Sequence, residues 1–169
     1  MQHLDLLVLR KALQWSAAGQ RVWLCTVLAT YGSAPRAPGS LLAATASGEW
    51  VGSLSGGCVE DELLEQLVAG AFPEPLYLLR YGDGSDPRSR ISLPCGGVLE
   101  VLVENLAPDC EVQAHLRELE SALAGQRRLI REVVLPTGER RLLADNTQGP
   151  RVERQPNLLR LRLGALQLA

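Results

Sequence analysis

The sequence predicts an α/β fold: a mixed β-sheet with helices packed on it, plus a small C-terminal α/β appendage. Three observations carry that expectation. Apolar residues recur at helical spacing in three separate segments. Between them lie short β-branched or alternating runs bounded by glycine and proline. Hydrophobic residues make up 46% of the 169 positions and charged residues 21%, enough apolar material to bury a core. Helices and strands interleaved in this way pack as helices on a sheet, although their order leaves the strand topology open.

The elements follow in order. Residues 3–18 read as a helix, with Leu6, Leu9, Leu13 and Ala17 on one stripe and Gly19 where a C-cap belongs. Residues 21–30, RVWLCTVLAT, are apolar almost throughout, as in a strand covered on both faces. The loop YGSAPRAPGS ends that strand. Residues 40–45 and 49–53 flank Ala46-Ser47-Gly48 and predict a hairpin. In CVEDELLEQLVAG, Val59, Leu63, Leu67 and Val68 share a face, the first turn is acidic and Gly70 ends the helix. Residues 76–80 predict a strand, and 81–90 a polar loop. The strand VLEVLVE follows, with Leu99, Val101 and Val103 on one side. Asp109 caps a helix over 110–124, stopped by Gly125. Residues 128–135 and 140–144 pair around Pro136-Thr137-Gly138. Residues 145–157, polar and holding Pro150 and Pro156, read as a linker before a last strand at 158–163. The division is then 1–106 and 107–169, the second unit being an appendage or a part of the same domain.

Composition narrows the function. A formal net charge of −2 argues against electrostatic binding of nucleic acid. No apolar run is long enough to span a bilayer. The start, MQHLDLLVLRKALQW, is interrupted by Asp5, Arg10 and Lys11 and has no small-residue cleavage site, so a cytoplasmic location is expected. There Cys25, Cys58, Cys95 and Cys110 are expected to be reduced thiols. None forms a CxxC pair, so a zinc ribbon or thioredoxin-type site has no support. Walker A and GxGxxG phosphate loops are absent too.

Chemistry concentrates in three glycine-rich turns: GSAPRAPGS at 32–40, SLSGGCVE at 53–60 and LPCGGVLE at 93–100. Glycine lets a ligand approach the backbone closely. Gly56, Gly57 and Cys58 open a helix, so free amides there suit an anion, and the helix dipole should favour the Cys58 thiolate. A plain glycine turn with a small packed cysteine remains the alternative. Cys95 before Gly96-Gly97 mirrors this setting, with a buried cysteine at a strand bend as its alternative. Cys25 reads as core. Cys110 also sits at a helix start, a reminder that this position alone does not mark a reactive thiol. Arg36, between Pro35 and Pro38, suits a phosphate or carboxylate, or is a solvated loop charge. Arg88 and Arg90 invite the same two readings. Glu60 is either a proton acceptor beside Cys58 or the residue that satisfies the helix start after Gly57. His3 and His115 lack partner spacing and read as structural or solvated.

Taken in order, the three turns resemble the N-terminal domain of the XdhC/CoxI family over residues 10–105. These are accessory proteins of molybdenum hydroxylases such as xanthine dehydrogenase and carbon monoxide dehydrogenase. The resemblance implies a maturation factor that binds the molybdenum cofactor (molybdopterin), aids its sulfuration with a cysteine desulfurase and delivers it to the apo-enzyme. It implies Arg36, Gly39, Ser55, Gly56, Gly57, Cys58, Glu60, Cys95, Gly96 and Gly97 as cofactor-binding positions. Cys58 or Cys95 would contact the molybdenum or carry sulfur, in keeping with soft sulfur ligands. Family members continue into a Rossmann-like domain that this sequence does not show. That joint and the sheet edges favour a homodimer. Two other classes stay open: a thiol-dependent sulfurtransferase or redox enzyme using Cys58 with Cys95, and a structural partner module whose glycine turns only assist folding.

Overall fold

The computed structural model describes residues 2–32, 36–55, 57–89, 91–93, 97–125 and 127–164. Among the described residues, two antiparallel sheets carry three helices. The first sheet has the order β3-β2-β1-β5-β4, from β1 (Val22–Tyr31), β2 (Leu41–Thr45), β3 (Trp50–Gly52), β4 (Leu76–Tyr81) and β5 (Val98–Leu106). The second has the order β7-β6-β9-β8, from β6 (Leu129–Val134), β7 (Arg140–Ala144), β8 (Val152–Gln155) and β9 (Leu158–Leu163). The helices are α1 (Gln2–Ala17), α2 (Cys58–Val68) and α3 (Cys110–Ala124).

The expected α/β class holds, and every ladder among the described strands is antiparallel. Period-two alternation explains the layering. On β5, Leu99, Val101 and Val103 face α2, where they join Cys25, Leu42, Leu63 and Phe72 in one core. Leu102, Glu104 and Leu106 face the other way. On that side α1 and α3 pack together over β1 and β2, through Val8, Leu9, Trp15, Leu24, Leu116 and Leu119. Further along the same face the second sheet closes a third core of Leu28, Leu102, Val133, Leu159 and Leu161. Strand β1 is therefore buried on both faces, as its unbroken apolar run predicts.

Helix ends follow their local chemistry. The Asp109 side chain accepts from the Val112 amide at 2.9 Å and starts α3. Gly70 ends α2, its amide bonding Leu67 and that of Ala71 bonding Gln66. One expectation is corrected. Residues 145–157 are not an unstructured linker, because they contain β8, which pairs Val152 with Leu161 and Gln155 with Leu158. A single apolar residue in VERQ gives no strand pattern, and the ladder to β9 is what makes it one.

A buried ion pair joins the sheets. Glu104 on β5 and Arg131 on β6 are 1% and 2% exposed and meet through two contacts, Nη1 to Oε2 at 3.0 Å and Nη2 to Oε1 at 2.8 Å. Only the Nη1–Oε2 contact has hydrogen-bond geometry, while Nη2 and Oε1 meet as opposite charges away from water.

Candidate functional site

Strand register gathers the glycine turns at one end of the first sheet. Tyr31, the last residue of β1, pairs with Val98 at the start of β5, and Tyr81 at the end of β4 pairs with Leu99. The backbone therefore crowds just beyond the strands. A Cβ on Gly82 would lie 2.3 Å from the Gly97 carbonyl oxygen, and one on Gly32 would lie 3.1 Å from Gly97 Cα. Gly82, at φ +115°, is in a conformation that side chains disfavour as well. The 53–60 turn is tied to the first loop by Arg36, whose Nη1 donates to the Ser53 carbonyl at 3.1 Å.

Glu60 organises the turn before α2. Its Oε2 accepts from the amides of Leu54 (2.8 Å) and Ser55 (3.1 Å) and from the Ser53 hydroxyl (3.0 Å). Its Oε1 accepts from the Gly57 amide (3.1 Å) and the Ser55 hydroxyl (2.5 Å). The carboxylate is 3% exposed. Of the two expectations for Glu60, the geometry matches the one in which it satisfies the helix start. A position three residues after Gly57 was the sequence signal for it.

Cys58 stands exposed at the first position of α2. Cys25 is fully buried on β1, and burial, with Glu104 nearby, pushes its thiol up from the ordinary range. Cys110 is exposed at the start of α3, on a separate element. Gly56, Cys95 and Gly96 lie outside the described residues, as does Arg90. Gly97 is described and buried where the strand ends converge.

Arg36 is 7% exposed, and its Nη2 meets Asp5 Oδ1 of α1 at 3.1 Å. The same oxygen accepts from the Leu41 amide at 3.1 Å. Burial raises the Asp5 carboxyl, against the pull of the Leu41 amide and of Arg36. The Arg36 fork is thus turned inward between α1 and the 53–60 turn. Gly39 lies against the Arg151 side chain and lines a cavity of about 10 Å³ between the sheets, with Thr26 and Arg131. Arg88 pairs with Asp86 and lies 5.8 Å from the Tyr77 ring centroid. The loop that carries it is pinned to α2, since Gln66 donates to the Arg88 carbonyl and Ser89 to Glu62. His115 is packed into the protein near Arg131 and Arg140, and burial lowers it to about 3, so it stays neutral at ordinary pH.

Two residues at this sheet end escaped sequence reasoning. Tyr31 is 51% exposed, and the Arg80 guanidinium lies 5.6 Å over its ring. A tyrosine before glycine at a strand end was the available signal. Tyr81 next to Gly82 is instead 1% exposed, with its hydroxyl raised by burial and then by Cys25 and Glu62. Among the described residues no cluster of three or more histidine, cysteine or carboxylate side chains could hold a metal ion. None of their helices is long and apolar enough to cross a membrane.

Comparison with known proteins covers both the turns and the fold. Residues 15–82 match the model of the XdhC and CoxI family. Over 117 residues the chain is 34% identical to the molybdenum cofactor insertion chaperone PaoD of Escherichia coli (strain K12), covering 67% of this chain and 35% of PaoD. It therefore spans about a third of that relative's length. A crystal structure described as a xanthine dehydrogenase from Bacillus halodurans superposes with a TM-score of 0.64 at 20% identity. That likeness, over 95% of this chain and 52% of the other, is one of fold.

Proposed function

Since this chain belongs to the XdhC and CoxI family, we propose that it is a chaperone for the molybdenum cofactor, which it holds as cargo and passes to an apo-enzyme. The reading rests on the exposed Cys58 thiol, carried on a turn held by Glu60, beside a sheet end where the Gly32 and Gly97 backbones approach closely. A thiol on a turn held by these hydrogen bonds is a soft group suited to molybdenum or to sulfur. Turnover of its own forms no part of this reading.

The finer proposals are these. Ser55, Gly56, Gly57, Cys58, Cys95, Gly96 and Gly97 form the cofactor-facing set, with Arg36 bracing the turn from Asp5. Cys58 contacts the metal or carries the sulfur that a cysteine desulfurase supplies, and Cys95 assists. The recipient is a molybdenum hydroxylase such as xanthine dehydrogenase or carbon monoxide dehydrogenase. A cytoplasmic site of action and a homodimer belong to the same proposal.

The test is direct. The purified chain is mixed anaerobically with molybdenum cofactor, free ligand is removed, and bound molybdenum and pterin are quantified for the wild type and Cys58→Ser. Stoichiometric retention by the wild type and loss in the variant are expected. Equal retention by Cys58→Ser and Cys95→Ser, with unchanged sulfuration, would end the thiol role. No retention by the wild type would end the chaperone reading for this chain.

A further inference from the structure

The turn that opens α2 has the form of an anion cradle, and the chain fills that cradle from within. Among the described residues, three backbone amides, Leu54, Ser55 and Gly57, and two hydroxyls, Ser53 and Ser55, converge on the two oxygens of one carboxylate. Elsewhere such a nest beside a helix N-terminus takes a phosphate. Here a phosphate would have to displace a carboxylate that is 3% exposed, or sit beside its charge in a dry site. The Ser55 hydroxyl is engaged a second time, accepting from the Val59 amide of the first helical turn at 3.3 Å. Cys58, in contrast, is exposed.

We infer that Glu60 is the built-in occupant of the anion cradle at the start of α2, so that this turn meets a ligand through the Cys58 side chain and not as a phosphate nest. Glu60 is then a positioning residue: it holds the backbone at Leu54, Ser55 and Gly57 and thereby fixes where the Cys58 thiol stands. The inference deepens the chaperone reading and rests on it for the identity of the cargo. On that reading Cys58 would be the group of this turn that meets the sulfur-bearing end of the cofactor, and residues 53–60 would not supply its phosphate contacts.

Amide hydrogen exchange measured by NMR on the full chain tests it, combined with titration by inorganic phosphate. In the wild type, the amides of Leu54, Ser55 and Gly57 should exchange slowly and should not shift with phosphate. In Glu60→Ala they should exchange about tenfold faster or more, and should shift with phosphate as the vacated cradle fills. The β1 amides of Cys25 and Val27 report whether the fold persists. If Glu60→Ala does not fold, Glu60→Gln decides by the same exchange measurement, because an amide has one acceptor oxygen where the carboxylate has two. Phosphate-dependent shifts at these amides in the wild type would overturn the inference. So would unchanged protection in the folded variant. Neither readout uses molybdenum cofactor, so a chain that retains no cofactor would defeat the chaperone reading and leave this result standing.

Discussion

Replacing Arg36 strands the Asp5 carboxylate in a buried position, where it was paired at 3.1 Å. Loss of one partner of a buried pair is costly, so Arg36→Met should destabilise the fold by about 3 kcal/mol in urea denaturation. Adding Asp5→Asn removes the stranded charge, keeps an acceptor for the Leu41 amide, and should recover most of that loss. An Arg36 whose main task is to grip a ligand gives a different result: cofactor retention falls while the urea midpoint stays put. His115 supplies a pH dependence. Its folded value lies near 3, below the ordinary 6.5. On acidification through that window the unfolded chain takes up a proton that the folded chain refuses. Stability attributable to His115 is thus complete above the ordinary value and falls by up to about 1.4 kcal/mol for each pH unit below it. Urea midpoints measured from neutral pH down to about 4 should show the slope, and His115→Phe should flatten it.

At the scale of the element, the sheet end that gathers the turns depends on close backbone approach. Gly82→Ala places a Cβ 2.3 Å from the Gly97 carbonyl in a left-handed backbone, and should cost about 2–4 kcal/mol. Gly84→Ala meets open space at φ +74° and should cost about 1 kcal/mol. Thermal unfolding of the two variants separates crowding from backbone conformation alone, and equal losses would deny the crowding. Sequence reasoning served these elements unevenly. The bounds of α3 were legible because Asp109 and Gly125 are local signals. So was the place of Glu60, three residues beyond Gly57. Strand β8 was hidden because VERQ owes its extended form to β9. The inward turn of Arg36 was hidden too, since its partner Asp5 lies on a different element, 31 positions away. Local chemistry is written in adjacent residues, whereas ion pairs and sheet order are set by contacts that adjacent residues do not encode.

Across the whole molecule, the two parts of the chain share their interiors. Leu106, Leu116 and Leu119 complete the core that α1 begins, and the Glu104–Arg131 pair crosses from one sheet to the other. A piece ending at residue 106 would leave Val8, Leu9 and Trp15 without α3 and Glu104 without its arginine. That piece should show no cooperative urea transition and should bind a hydrophobic dye, as a loosely packed state does. A cooperative transition in the 1–106 piece would establish it as a domain in its own right.

The position of β1 at the centre of the first sheet also governs how the chain reaches its fold. One side of β1 pairs with β2, the next strand made, but the other pairs with β5, which begins at Val98. On a ribosome the early hairpin and the Cys58 turn emerge while the place of β5 is still empty. The sheet cannot close until most of the chain has left the exit tunnel. Contacts of such long sequence separation slow folding, so the nascent chain waits with an open strand edge and an uncovered apolar face. Its yield in the cell then depends on the pace of translation as well as on the stability of the finished protein.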